Sequence, residues 1–121
     1  MYLKSYKDFT VWQRAMDLTV EIYKLVKLLP KEETYALSDQ MRRAVVSIPS
    51  NIAEGQGRNS NKEFMNFVGI ARGSLSELET QLQICIKLNY ITEEESEDAL
   101  NLCEQVGKML TNLIKTLRIV K

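Results

Sequence analysis

The sequence predicts an all-α protein, an antiparallel up-down-up-down four-helix bundle with a proline-kinked second helix, occupying residues 1–121 as a single domain. Three observations predict it. Four stretches space apolar residues three and four apart, the period of an amphipathic helix, and none sustains the two-residue alternation of a strand. The stretches are separated by short Pro-, Gly- or Asn-bearing connections, which favour antiparallel neighbours. Two of them open on a Ser/Thr-x-x-Glu helix-start signal.

The first helix is expected over about Phe9 to Leu29, with Asp8 as N-cap and Pro30 as its stop. Its apolar stripe reads Trp12, Ala15, Met16, Thr19, Ile22, Tyr23, Val26 and Leu29. Val11, Leu18 and Leu25, with Val46 of the second helix, lie away from the clearest stripes. They either fill the edges of a broad core or mark a subunit interface.

The second helix runs from about Ser38, or a turn earlier, to Glu54. Leu37, Met41, Val45, Ile48 and Ile52 keep their spacing straight through Pro49, which predicts one continuous, kinked helix. Pro49 lacks an amide hydrogen and its ring crowds the Val45 carbonyl, a defect costing ~3 kcal/mol or more in a helix interior. The Ser47 and Ser50 hydroxyls are near enough in sequence to compensate. On the opposite side Arg43, Ser47, Ser50, Asn51, Glu54 and Arg58 form a polar ridge. It reads either as a specificity surface or as a solvated face ending in a cap at Gly55 or Gly57. Glu54 and Arg58, four apart, are spaced to pair. Gly55 and Gly57 punctuate the polar loop GQGRNSN.

The third helix starts at the capping box of Ser60 and Glu63 and continues to Leu88 or Asn89. Gly69, Gly73, Ser76 and Thr80 form a strip of small residues on it that lets another backbone approach closely, so a partner helix is implied. The fourth helix repeats the capping box with Thr92 and Glu95. Ala99, Cys103, Val106, Leu110, Leu113 and Leu117 form its stripe, and it ends near the C-terminus.

Composition narrows the function. Sixteen basic residues cancel sixteen acidic ones, so any pull toward nucleic acid must come from local clustering. Residues 1–31 hold six basic and three acidic groups, and residues 92–121 four and six. There is no histidine, and Cys85 and Cys103 are the only cysteines. This excludes a Cys/His zinc site and Ser/His or Cys/His catalysis, and argues against a disulfide scaffold. Both cysteines fall in apolar stripes as small core residues. No Walker or dinucleotide glycine loop appears. Glu54 and Glu77 are the one carboxylate pair placed to meet across helices, but a bundle-core di-metal site needs Glu-x-x-His. The expectation is a protein that is not an enzyme, with no cofactor, metal or small-molecule substrate. The start MYLKSYKDF has no apolar signal core and no run approaches the ~20 apolar residues of a membrane span. A cytoplasmic location is expected.

Nucleic-acid binding has candidates. Arg42, Arg43, Arg58, Lys62 and Arg72 are placed to gather at one end or along one groove. Lys4, Lys7 and Arg14 form a second basic cluster near Trp12 and the tyrosines. In an oligomer each basic group is repeated, which strengthens a modest patch.

The segments KDFTVWQRAMDL, LSDQMRRAVVSIPSNIAEGQGR, KEFMNFVGIARGSLSELETQL and LNYI span nearly the whole chain. They resemble the bacterial four-helix-bundle family of 23S rRNA intervening-sequence proteins, with SIPSNIAEG the most specific part. Arg43, Ser47, Pro49, Asn51, Glu54 and Gly55 match the signature, as do Arg72, Ser74, Glu77 and Glu79. The resemblance implies a homo-oligomer, with five subunits as in pentameric barrels of the wider family, and no catalytic residues. Accessory proteins of diversity-generating retroelements are similar in fold and bind nucleic acid and a reverse transcriptase through a basic surface. This chain departs from them in its neutral charge. Two functions are therefore carried forward, a scaffold associated with RNA or DNA and a protein-interaction adaptor without nucleic acid.

Overall fold

The computed structural model describes residues 5–119, so Lys4 lies outside the described residues. The fold is all-α: α1 (Thr10–Val26), α2 (Leu37–Gln56), α3 (Asn61–Lys87) and α4 (Glu93–Ile119), with 3-10 turns at Tyr6–Asp8 and Lys31–Glu33 and no strand among the described residues. Each helix packs against two others, α1 on α2 and α4, and α3 on α2 and α4.

Local chemistry sets the ends. Asp8 does not cap α1. It closes a reciprocal box with Ser5 around the first 3-10 turn, while Phe9 precedes α1 without a side-chain cap. The helix also stops before the residues that lead into Pro30. Lys27, Leu28 and Leu29 donate to carbonyls three residues back, a tightened exit into the proline. At the start of α3 the Ser60 hydroxyl accepts from the Glu63 amide. At the start of α4 both halves of the box form, Glu95 N to Thr92 Oγ1 at 3.0 Å and Thr92 N to Glu95 Oε1 at 2.9 Å. Asn89 takes a left-handed φ of 61°, and the Asn89 and Tyr90 amides turn back onto the Ile86 and Cys85 carbonyls. This is the Schellman ending.

The core stripes are Val11, Ala15, Leu18, Ile22, Leu25 and Val26 on α1, with Leu29 just beyond it; Met41, Ala44, Val45, Ile48 and Ile52 on α2; Val68, Ala71, Leu75, Leu78, Leu82 and Cys85 on α3; and Ala99, Cys103, Val106, Leu110, Ile114 and Leu117 on α4. Two expectations are corrected. On α1 Ala15, Ile22, Val26 and Leu29 of the expected stripe are buried, but the core also takes Val11, Leu18 and Leu25, whereas Met16 and Tyr23 are exposed beside a half-buried Trp12. Two adjacent apolar stripes compete there, and the wetter one carries the Tyr hydroxyl and Trp N–H, groups that keep a polar end in water. On α4 it is Ile114, not Leu113, that is buried.

Contacts between α2 and α3 fix their register. Met41 Sδ lies 3.6 Å from Cys85 Sγ, Ser47 Oγ 2.8 Å from Ser74 Oγ, and Gly55 against Phe64 and Phe67. Numbers rising along α2 meet numbers falling along α3. Burial pushes the Cys85 and Cys103 thiols up to about 11 and about 12, with carboxylates of Glu33 and Glu79 adding to the rise. Both stay protonated at neutral pH. Among the described residues no helix is long and apolar enough to cross a membrane.

Candidate functional site

The signature residues of α2 divide by depth. Ser47 and Asn51 face the α2/α3 seam. The Ser47 and Ser74 hydroxyls share a hydrogen bond, and the Asn51 amide donates to the Ser47 carbonyl at 2.7 Å and to its hydroxyl at 2.9 Å. The Ser47 hydroxyl is thus committed to α3 rather than to the backbone freed by Pro49. Pro49 is buried, and Ser50 beside it is exposed. Arg43 and Glu54 point outward, Arg43 toward Asp39 at 3.4 Å and Glu54 toward Arg58 at 2.7 Å.

Gly55 does not end α2. It is buried one residue before the last, where an added Cβ would lie 2.7 Å from Phe67 Cβ and 2.9 Å from Phe64 Cδ1. Only a hydrogen fits, so this glycine sets how closely α2 and α3 approach. Phe64 in turn stacks on Phe9 with ring centroids 5.9 Å apart. Gly69 and Gly73 behave differently, since a Cβ on either meets nothing within 4 Å. With exposed Ser76 and Thr80 they form an open outer face of α3.

The register also separates Glu54 from Glu77. Gly55 sits opposite Phe67, so the two carboxylates are offset by nine or ten residues, roughly 14 Å along the helices. Glu77 accepts instead from buried Gln81. Among the described residues no group of three or more His, Cys, Asp or Glu side chains is placed to hold a metal ion.

The five basic candidates fall in two places. Arg42 donates to the Thr34 carbonyl at 3.3 Å, bracing the turn before α2, and Arg43 stands beside it. Arg58, about 23 Å further along the helix axis, lines a cleft with Lys62 and Arg72. Arg118 from the last turn of α4 joins them, and Glu63 is the one carboxylate in the lining. The cleft has a volume of about 730 Å³, and Met65, Phe67 and Ile114 supply its apolar part. Arg58 is held from two sides, by Glu54 and by the Phe67 ring 4.7 Å below its guanidinium. Lys62, Arg72 and Arg118 make no ion pair among the described residues. In the second cluster Lys7 is exposed and Arg14 pairs with Asp17 at 3.6 Å, near the edge-on contact of Tyr6 and Trp12.

The family model described as 23S rRNA-intervening sequence protein matches residues 7–112. The chain belongs to that family. Among solved structures, this family member is similar to a protein of unknown function from the S23 ribosomal protein family of Bacteroides thetaiotaomicron. The two are 32% identical, the match covers 88% of this chain and 99% of that one, and the TM-score is 0.81. No curated protein matches.

Within the intervening-sequence protein, sequence reasoning found three of the four cleft cations and missed Arg118. Nothing local marks that residue, because α4 delivers it to α3 only through the bundle. The Phe64 and Phe67 partners of Gly55 were equally hidden, although the Phe-x-x-Phe spacing after Ser60 announces one shared helix face.

Proposed function

We propose that this intervening-sequence protein is a non-enzymatic, homo-oligomeric scaffold that associates with RNA or DNA in the bacterial cytoplasm through the cleft of Arg58, Lys62, Arg72 and Arg118. One observation carries the reading: a chain of zero net charge gathers four cations in one concavity against two carboxylates, Glu63 in the lining and Glu54 paired with Arg58. Exposed cations in that arrangement raise the local potential where the whole molecule has none. The protonated, buried thiols and the absence of histidine favour a role without catalysis.

The proposed subunit is an up-down-up-down bundle, supported by the α2/α3 register and the short connections. Its second helix bends at Pro49, where the Val45 carbonyl loses its donor. A homo-oligomer, with five subunits as the family resemblance implies, is supported by exposed Met16, Val20, Tyr23 and Val46, an apolar excess beyond what the core uses. The second reading, an adaptor for another protein, is favoured by exposed Ile70, Ile84 and Leu88 along the open face of α3.

The test pairs sedimentation with mobility shift against ribosomal RNA fragments and random duplex DNA, at low and physiological salt. Salt-sensitive binding by an oligomer, weakened by Arg72→Ala with Arg118→Ala, supports the scaffold. A monomer overturns the assembly, and an oligomer that binds neither nucleic acid turns the reading to the adaptor.

A further inference from the structure

We infer that the basic cleft is a subsite for one unpaired nucleotide of a nucleic-acid strand, not a flat platform for duplex phosphates. The inference rests on the scaffold reading and goes further by naming the ligand form. Its first support is the layering of the lining. Arg58, Lys62, Arg72 and Arg118 are exposed, whereas Met65 and Phe67 are half-buried and Ile114 is 7% exposed, so the apolar surface lies deeper than the charges. A duplex keeps its bases stacked inside and offers a cleft only backbone, which leaves an apolar floor unused. An unpaired nucleotide has a phosphate for the cations and a base with a π-face for the floor.

The second support is Arg58. Glu54 at 2.7 Å and the Phe67 ring at 4.7 Å hold its guanidinium in place before any ligand arrives. A planar cation fixed at a cleft wall is a stacking surface for a base, and little side-chain freedom remains to be lost on binding. The third is Gly69. A Cβ there meets nothing within 4 Å, so the glycine is not required by packing within the chain and its position leaves the cleft open. The volume of about 730 Å³ lies in the range of clefts that enclose small ligands.

Gly69 also supplies a test that leaves every charge in place. Fluorescence anisotropy would compare a labelled ten-nucleotide single-stranded RNA, the same RNA annealed to its complement, and displacement of each by AMP. The single strand should bind about tenfold tighter than the duplex, the usual worth of one stacked base. Gly69→Leu should lose about that tenfold on the single strand and weaken duplex binding by less. Arg72→Ala with Arg118→Ala should weaken both. Sedimentation checks that Gly69→Leu keeps its assembly state. If it does not, Asn66→Leu, an exposed position of the same lining, repeats the block. Equal binding of strand and duplex, or a blocked variant that binds the strand as tightly as the parent, overturns the nucleotide subsite while the scaffold reading stands. Binding of neither RNA removes both. Displacement by AMP at the concentration of the strand itself assigns the cleft to free nucleotides and overturns the strand.

Discussion

Gly55 is the residue where a single hydrogen decides a helix–helix distance. Alanine is the better helix former by ~1 kcal/mol, but the atom facing the new methyl is Phe67 Cβ, which moves only with the α3 backbone. Overpacking of that kind costs about 1–3 kcal/mol, so Gly55→Ala should lower stability by up to about 2 kcal/mol net. A denaturant midpoint equal to or above that of the parent would contradict it. Asn51 makes a similar point with polar groups. Its amide supports Ser47, which meets Ser74 across the seam. Removing it in Asn51→Ala should cost about 1 kcal/mol, against a few tenths for Lys62→Ala or Glu54→Ala on the surface. Equal melting of the three variants would refute this ordering.

At the scale of elements, endings carry the specificity. Asn89 holds φ at 61°, a conformation costing a residue with a side chain roughly 1 kcal/mol more than glycine. Asn89→Gly should therefore raise stability slightly and Asn89→Ala lower it by about 1 kcal/mol, measured by thermal unfolding. Next to it, the Tyr90 hydroxyl donates to Glu33 at 2.9 Å, and the other Glu33 oxygen accepts from the Leu37 amide, tying two connections together. The bond to Glu33 is the main cause that raises the Tyr90 pKa. The buried thiols of α3 and α4 are shifted the same way. All three groups hold their proton more tightly folded than unfolded. Their contribution is complete below the ordinary thiol value of 9.0 and is lost as pH rises toward about 11 and about 12. Unfolding midpoints should thus fall between neutral pH and about pH 10.5, and Cys85→Ala with Cys103→Ala should flatten the fall.

For the whole molecule, neutrality conceals polarity. Lys62, Arg72 and Arg118, the cleft cations without an ion pair among the described residues, can neutralise about three phosphates, which for a single strand predicts a slope of log affinity on log salt of about −2. Affinity should drop roughly twentyfold between 50 and 200 mM salt, and losing Arg72 and Arg118 should remove about two-thirds of the slope. A slope unchanged by those substitutions would move the contact elsewhere. Assembly belongs to this scale as well. Met16→Glu with Val46→Glu, two positions 40% exposed in the subunit, should yield a smaller sedimenting species with its helical circular dichroism intact. An oligomer of unchanged size would exclude this face from the interface.

The sequence by itself determined the class of fold, the four helices and most of their ends. Hydrophobic period, capping pairs and breakers are local chemistry, written within a turn or two of the residues they govern. It also marked Ser47, Asn51, Gly55 and Arg58 as unusual positions within one short segment. Tertiary structure alone decided that Val11, Leu18 and Leu25 of α1 go inside while Met16 and Tyr23 stay out, because both sets satisfy the helical period and only the neighbours' packing separates them. It alone turned Gly55 from a loop signal into a crossing point, placed Arg42 and Arg43 apart from Arg58, and brought Arg118 to the cleft. Such proximities join residues tens of positions apart, and no local pattern encodes a distance that only the packed bundle defines.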